Sequence, residues 1–253
     1  MPEFSIITAT FNSAESVAST IKSIKEQSYN DYEVLFIDGA STDNTVDIIR
    51  EHTADISDRI KIVSEADKGI YDALNKGLNA ANGEIISFLH ADDFYASTET
   101  LKKVSERFKR DSSGSVYGDL LYVGKGNTNK VIRHWQSGEC TRRKLKRGWM
   151  PPHPSFFVKK SIYEKYGAFD VSLKIAADYD FMMRVLFKEN ISTSYLPEVL
   201  VKMRVGGVSN KSLKNILRKS REDLIAMKKN ELGGFISLVI KNIRKLPQFF
   251  FKG

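Results

Sequence analysis

Short apolar runs alternate with helical patterns through the first part of the chain. Strand-like runs cover residues 4–9, 33–37, 60–63 and 84–89. Between these runs, apolar residues recur at three- and four-residue spacing, most clearly in residues 69–81. Strands that alternate with helices of this length are typical of a mostly parallel sheet covered by helices. We therefore expect an α/β fold.

Polar segments mark where the first helices should begin. Residues 12–15 resemble a capping box, and Val17, Ile21 and Ile24 follow at helical spacing. Residues 41–43 should start the next helix. The second half of the chain is less regular, with strands expected at 115–117, 131–135, 155–158, 192–196 and 199–205, and helices at 160–166, 177–187 and 209–229.

The net charge of +8 is concentrated at the C-terminal end of the chain. Residues 211–253 hold 11 Lys or Arg and 3 Asp or Glu, whereas residues 1–210 hold 28 of each sign. A basic amphipathic helical tail of this kind favours contact with an anionic membrane surface. The alternative is a helix docked on the domain or on a second subunit. Nucleic acid is less favoured, because no recognition motif accompanies the charge.

Composition restricts the class of protein. Hydrophobic residues make up 42% and charged residues 28%, as in ordinary globular proteins. The single cysteine, Cys140, excludes an internal disulfide and a cysteine cluster for zinc. No signal peptide and no apolar run of membrane-spanning length is recognisable. We expect a cytoplasmic protein, peripheral on the inner face of the plasma membrane if the tail binds lipid.

Polar loops follow all four strands of the first half. They comprise residues 8–12, 38–41, 65–69 and 90–93. In a parallel sheet such loops meet at one edge, where ligands bind. Their carboxylates and helix-start N–H groups suit a nucleotide with phosphates, and adjacent Asp92 and Asp93 suit a divalent cation that also holds phosphate oxygens. The alternative is that these side chains merely cap helices.

The motifs in these loops resemble a known family. Residues 5–12 and 36–45, with Asp92-Asp93 at this distance, resemble the family 2 glycosyltransferases, which have the Rossmann-like GT-A fold. Residues 67–77 are similar to a subgroup that acts in bacterial surface-polysaccharide assembly. The resemblance implies a GT-A catalytic domain over residues 1–210, with a nucleotide-binding half (1–95) and an acceptor-binding half (96–210), before the helical tail (211–253).

The implied activity is inverting transfer of a sugar from a nucleotide diphosphate sugar to a hydroxyl of a saccharide acceptor, which a basic tail suggests is lipid-linked. Asp92 matches the last carboxylate of the family's DXD motif and would bind Mn²⁺ or Mg²⁺, assisted by Asp93; His90 stands where the family usually has its first aspartate. The implied nucleotide-sugar contacts are Thr8, Ala9, Asn12, Asp38, Gly39, Asp67, Lys68, Gly69, Asn75, His90, Ala91 and Asp92.

Asp178 matches the family's catalytic base, although Ala177 replaces the glutamate that usually precedes it. Asp178 and Asp180 are two positions apart on a predicted helix, so only one of them can face the cleft, and we choose Asp178. The alternative is that both only favour the positive end of the helix.

Trp149 and His153, beside a proline-rich loop, are candidate acceptor contacts; a packed turn with a buried Trp is the alternative. Two other functions stay open, a nucleotidyltransferase and a non-catalytic nucleotide-sugar-binding module. The sugar, the acceptor and the oligomeric state are not determined by the sequence.

Overall fold

A computed structural model describes residues 1–206, 213–234, 237–238 and 240–241. Its strands are β1 (Phe4–Thr10), β2 (Tyr32–Asp38), β3 (Ile60–Ser64), β4 (Ile85–Phe88), β5 (Phe94–Tyr95), β6 (Ser115–Val123), β7 (Val131–Trp135), β8 (Phe156–Lys159) and β9 (Thr193–Arg204). Its helices are α1 (Val17–Lys25), α2 (Thr45–His52), α3 (Ile70–Ala80), α4 (Thr100–Asp111), α5 (Arg142–Lys146), α6 (Lys160–Tyr166), α7 (Ala177–Met183) and α8 (Leu213–Lys229).

The strands of the described residues form one sheet in the order β3-β2-β1-β4-β8-β6-β9-β5, with β7 paired to β6. The four strands of the first half run parallel, as expected. Beyond β4 the sheet is mixed, because β8 runs antiparallel to both β4 and β6, whereas β9 runs parallel to β6. The α/β GT-A-like fold is confirmed, and its antiparallel pairs belong to the less regular second half.

Both faces of the sheet are covered. Ile6 and Ile7 are adjacent in β1 and fully buried, yet they belong to different apolar clusters on opposite faces. The cluster with Ile7 packs under α3 and α7, and the cluster with Ile6 packs under α1 and α4. Burial on both faces explains why the strands of the first half are continuous apolar runs rather than alternating patterns.

Three expectations about the elements are corrected. The capping box is wrong, because α1 begins at Val17 and residue 12 bonds a neighbouring loop instead. The two strands expected around Pro197 form one strand, β9, whose pairing with β6 shifts register beside Gly118. A methyl group at Gly118 would lie 2.5 Å from Leu200, so this irregular pairing requires glycine. Helix α4 was not expected.

Helix α8 packs on α7 and so docks the first part of the basic extension on the domain. Asn230 Nδ2 donates to Asp180 Oδ1 at 2.9 Å, and Lys241 Nζ lies 2.8 Å from Asp223 Oδ1 in a buried ion pair. The docked alternative thus holds for this helix. The amphipathic piece expected beyond residue 234 lies mostly outside the described residues. Across the described ranges, no helix has the length and apolar character needed to cross a bilayer.

Candidate functional site

The carboxylate of Asp38 is fully buried where β1, β2 and β3 end. Its Oδ1 accepts hydrogen bonds from Thr10 Oγ1 (3.0 Å) and Ser41 Oγ (2.5 Å), and its Oδ2 accepts from Ser41 N (2.9 Å) and Ser64 Oγ (2.7 Å). Burial raises the pKa of Asp38, but these hydrogen bonds outweigh it and hold the pKa below its ordinary value. These four hydrogen bonds fill the acceptor positions of Asp38 and fix the loop, and its expected contact with a base stays a prediction.

Asn12 joins the loop after β1 to the loop after β2. Its backbone is left-handed (φ 47°), its N–H donates to Ser41 Oγ at 2.9 Å, and its Oδ1 accepts from Thr42 N at 2.9 Å. Phe11, which the sequence reasoning missed, is 62% exposed beside this junction. A large exposed aromatic ring in an otherwise polar loop is the signal that could have found it.

Gly39 and Asp67 bring the second and third loops together. A methyl group on Gly39 would lie 2.5 Å from Asp67 Oδ2 and 3.4 Å from the ring of Phe11. Asp67 Oδ1 accepts from Gly69 N at 2.7 Å, and Gly69 has a φ of 116°, which favours glycine. Helix α3 starts at the next residue. The exposed side chain of Lys68 therefore lies between a fixed carboxylate and a helix N-terminus.

Asp92 and Asp93 follow β4 and differ in environment. Asp92 is partly exposed, and its backbone carbonyl accepts from Arg204 Nη1 at 2.5 Å, while Arg204 Nη2 donates to Ser19 Oγ at 3.0 Å. Asp93 is fully buried, and burial, reinforced by Asp92, raises its pKa well above the ordinary value. Both carboxylate oxygens of Asp93 are buried without a hydrogen-bond partner among the described residues, and its assistance to a cation held by Asp92 stays a prediction.

Two imidazole rings lie next to this strand end. The ring of His153 stacks on Phe88 with centroids 5.4 Å apart, and its centroid is 5.9 Å from that of His90. Burial lowers the pKa of His153 to about 4 and also lowers the pKa of His90, so both rings are neutral at pH 7. His90 Nδ1 and His153 Nε2 are buried without a hydrogen-bond partner among the described residues. Such atoms are typical of a site that a ligand completes.

Asp178 lies in the first turn of α7. Its Oδ1 accepts a hydrogen bond from the phenol of Tyr71 at 3.1 Å. Asp180 is fully buried; its Oδ1 accepts a hydrogen bond from Asn230 Nδ2 at 2.9 Å, and its Oδ2 forms an ion pair with Arg184 Nη2 at 3.4 Å. The two carboxylates thus lie on different sides of α7, and Asp178 is the one of the two that is partly exposed.

Asp92 and Asp178 converge on the same imidazole. Burial lowers the pKa of His90, and the negative charges of both Asp92 and Asp178 act against that lowering. The charge of Asp178 likewise acts against the lowering of the pKa of His153 that burial causes. The charge of a carboxylate at the end of β4 and that of one at the start of α7 thus both act on His90.

Several residues expected to contact the nucleotide sugar are buried or bonded within the protein. Thr8 and Ala91 are buried at 0% and 5% exposure, whereas Ala9 and Gly39 are partly exposed and Gly69 is exposed. The side chain of Asn75 bonds both the N–H and the carbonyl of Phe169, at 3.0 and 2.9 Å. Its amide therefore anchors the chain before α7, and its expected contact with the nucleotide stays a prediction.

Trp149 is not the exposed platform that was expected. It is 9% exposed and packs edge-on against Tyr117, with Lys144 Nζ 5.3 Å from its ring centre. The alternative, a packed turn with a buried Trp, describes this residue. Its indole ring is covered by the core and contributes to packing there, so the ring is not open to a sugar in solvent.

The residues at this edge fit a divalent cation only in part. Among the described residues there is no group of three His, Cys, Asp or Glu that could hold a metal ion. Asp92 offers one partly exposed carboxylate. Mg²⁺ in nucleotide sites is commonly held by one or two carboxylates together with phosphate oxygens and water. The arrangement therefore fits a cation that arrives with a diphosphate, rather than a cage made by the protein alone.

Solved structures share this fold. TarS of S. aureus (residues 1–349) superposes with a TM-score of 0.72 at 20% identity, over 97% of this chain and 72% of that one. The mannosyltransferase PcManGT from Pyrobaculum calidifontis, solved with GDP-Man and Mn²⁺, gives a TM-score of 0.69 at 20% identity, over 98% of this chain and 73% of that one.

Sequence comparison is more specific than the fold. A PGL/p-HBAD biosynthesis glycosyltransferase of Mycobacterium bovis is 31% identical over 249 residues, which are 98% of this chain and 92% of that protein. A relative of the same description and identity occurs in Mycobacterium tuberculosis. The sequence model of glycosyl transferase family 2 matches residues 5–167, which include every loop at the parallel edge. The chain therefore belongs to glycosyl transferase family 2.

Proposed function

We propose that the protein is an inverting glycosyltransferase that moves a sugar from a nucleotide diphosphate sugar to a hydroxyl group of a saccharide acceptor in cell-surface glycan synthesis. The observation that carries this proposal is a continuous set of contacts from the end of β4 to the start of α7. The ring of His90 lies 5.9 Å from that of His153, which packs on Phe169; Phe169 also packs on Tyr71, the hydrogen-bond donor to Asp178. In the proposal, Asp92 suits a cation–diphosphate pair and Asp178 suits proton transfer. Family membership supports the same activity.

In the proposed reaction, the loops after β1, β2 and β3 hold the nucleotide. Phe11 offers its exposed ring to the base, and Gly39 allows the chain to pass close to Asp67. Lys68 and the N–H groups at the start of α3 favour the negative diphosphate. Asp92 would hold Mn²⁺ or Mg²⁺ together with the diphosphate, and the cation would offset negative charge on the leaving group.

Asp178 acts as the general base. It takes the proton from the acceptor hydroxyl as that oxygen forms its bond to the anomeric carbon. The bond from the anomeric carbon to the diphosphate oxygen breaks, and the electron pair leaves with the nucleoside diphosphate. One carboxylate suffices for this displacement, which inverts the anomeric configuration. A base of this kind contributes about 10²–10⁴-fold to the rate.

His90 and His153 suit the sugar and the acceptor. Their neutral rings can donate or accept a hydrogen bond without adding charge, and each has a buried nitrogen without a partner in the described part of the chain. A lipid-linked acceptor agrees with the basic extension, and it would bring the enzyme to the inner face of the plasma membrane. Most of that extension beyond residue 234 lies outside the described residues.

The proposal is tested by incubating the protein with Mn²⁺ and a panel of UDP-, GDP- and TDP-sugars, with and without saccharide acceptors. Release of a nucleoside diphosphate and NMR of the product anomer are measured, with Asp178→Asn as the inactive control. We expect an inverted product and release that depends on Asp178. Pyrophosphate release would indicate a nucleotidyltransferase, binding without turnover a binding module, and a retained configuration would refute the single displacement.

A further inference from the structure

The turn that precedes the proposed base is held by a side chain from α8. Glu222 Oε2 accepts hydrogen bonds from Ile175 N at 2.7 Å and from Ala176 N at 3.1 Å. The first N–H groups of a helix have no partner within that helix and need a cap. The residue at the cap position of α7 is Ala176, whose side chain cannot accept a hydrogen bond. Glu222 therefore accepts the N–H of this cap residue and that of the residue before it, and so caps the turn that leads into α7.

Tyr71 holds the same turn from the other side. Its phenol lies 2.9 Å from the carbonyl oxygen of Ile175 and 3.1 Å from Asp178 Oδ1. Ile175 is thus fixed at its N–H group by Glu222 and at its carbonyl by Tyr71. Glu222 is 7% exposed, so water competes little for its hydrogen bonds.

We propose that Glu222 is a positioning residue for Asp178, so that the docked helix α8 completes the catalytic site. This inference rests on the proposed function of Asp178. Glu222 acts through the backbone of Ile175 and Ala176 and not on the reacting atoms. A shift of about 1 Å in a catalytic group can lower the rate about 10²-fold, so loss of the cap should reduce turnover without altering donor binding.

Three replacements of Glu222 test this proposal. Glu222→Gln keeps the side-chain length and an acceptor oxygen, and we expect its kcat within about threefold of the wild type, because one neutral acceptor replaces a charged one. Glu222→Asp keeps the charge but is one methylene shorter, so it cannot span the same distance. We expect its kcat to fall about tenfold or more, with KM for the donor unchanged. Glu222→Ala should behave like Glu222→Asp. If Glu222→Ala fails to fold, the comparison of kcat between Glu222→Gln and Glu222→Asp tests the proposal.

Asn230→Ala is the matched control. It removes a hydrogen bond between α8 and α7, at Asp180, without touching Ile175 or Ala176. We expect it to lower the melting temperature and leave kcat unchanged. An equal loss of kcat in Asn230→Ala, or a wild-type kcat in Glu222→Asp, would overturn the proposal.

Amide hydrogen exchange at Ile175 and Ala176 gives a second readout that needs no activity. We expect faster exchange at both amides in Glu222→Asp than in the wild type or Glu222→Gln; unchanged exchange would overturn the proposal. A wild-type protein that transferred no sugar from any donor would instead count against the proposed function, and the exchange rates would still report whether Glu222 holds this turn.

Discussion

The phenolic oxygen of Tyr71, in the first turn of α3, lies 3.1 Å from Oδ1 of Asp178, in the first turn of α7. Burial raises the pKa of Tyr71 well above its ordinary value, and the charge of Asp178 adds to the effect, so the phenol keeps its proton and donates. Through this hydrogen bond, the helix that begins at the nucleotide edge of the sheet contacts the proposed base directly.

Tyr71→Phe should lower turnover and leave nucleotide binding unchanged. The ring keeps its packing against Phe169, whereas the hydrogen bonds to Asp178 and to the carbonyl of Ile175, which share the one phenolic proton, are both lost. A hydrogen bond to a charged group is worth roughly 1.5–3 kcal/mol, so we expect kcat to fall at least about tenfold. Steady-state kinetics and calorimetry with the nucleoside diphosphate measure the two effects. Tyr166→Phe, at the end of α6, is the control, and a wild-type kcat in Tyr71→Phe would contradict the expectation.

Asp92→Asn and Asp93→Asn should differ in their effect on cation-dependent binding. Asp92 is partly exposed and suited to a cation, whereas buried Asp93 favours its neutral form, which an amide resembles in shape. We expect Asp92→Asn to weaken Mn²⁺-dependent binding of the nucleoside diphosphate by at least about tenfold, and Asp93→Asn to weaken it less. Calorimetry with and without Mn²⁺ measures this. A larger loss in Asp93→Asn would show that Asp93 is the ligand.

Gly39→Ala should disrupt the junction between the second and third loops. The new methyl group would lie 2.5 Å from Asp67 Oδ2, so Asp67 must move away from Gly69 N. Because only the end of a flexible side chain has to move, the expected cost is that of the lost hydrogen bond to Gly69 N, roughly 0.5–1.5 kcal/mol, and we expect nucleotide affinity to fall as well. Urea unfolding and calorimetry are the measurements. Gly126→Ala, whose methyl group would have no atom within 4 Å, is the control and should change stability by less than about 0.5 kcal/mol.

His153 should make stability depend on pH in the acidic range. Its pKa is about 4 in the folded protein, below the ordinary 6.5 of the unfolded chain. As the pH falls from 6.5 to 4, the unfolded chain takes up a proton that the folded protein refuses, so the free energy of unfolding decreases, by up to roughly 3 kcal/mol. Urea unfolding at pH 7.5 and 5.0 should show a smaller decrease for His153→Gln than for the wild type. Exposed His52→Gln is the control, and equal decreases in all three proteins would refute the assignment.

The sheet could be predicted because its strands are buried on both faces and so appear as continuous apolar runs. Helix α4 was missed although Leu101, Val104 and Phe108 are buried at helical spacing, and a count of that pattern would have found it. Strand β9 was divided at Pro197 because proline usually ends a strand. Its irregular pairing beside Gly118 depends on a contact with Leu200 that the sequence does not record.

The site was predicted as far as local motifs reach. The loops after the parallel strands are motif-bearing segments, and their meeting at one edge follows from topology. The set of hydrogen bonds that fills the acceptor positions of Asp38 does not follow from topology alone, because Thr10 and Ser64 reach this carboxylate from other strands. The sequence likewise gives no sign that Trp149 is covered, or that Asn75 is already bonded to the backbone of Phe169. Each correction comes from a partner distant in sequence.

The capping of α7 by Glu222 has a consequence for how far the working enzyme extends along the chain. The family match ends at residue 167, before Asp178, and the sheet ends at Arg204. A protein cut after β9 would keep the loops proposed to bind the donor, but it would lack Glu222, which accepts the N–H groups of Ile175 and Ala176. It would also expose the apolar surface that buried Ala226 and Met227 of α8 pack against. If Asp178 is the base, as proposed, we expect the smallest active unit to include α8.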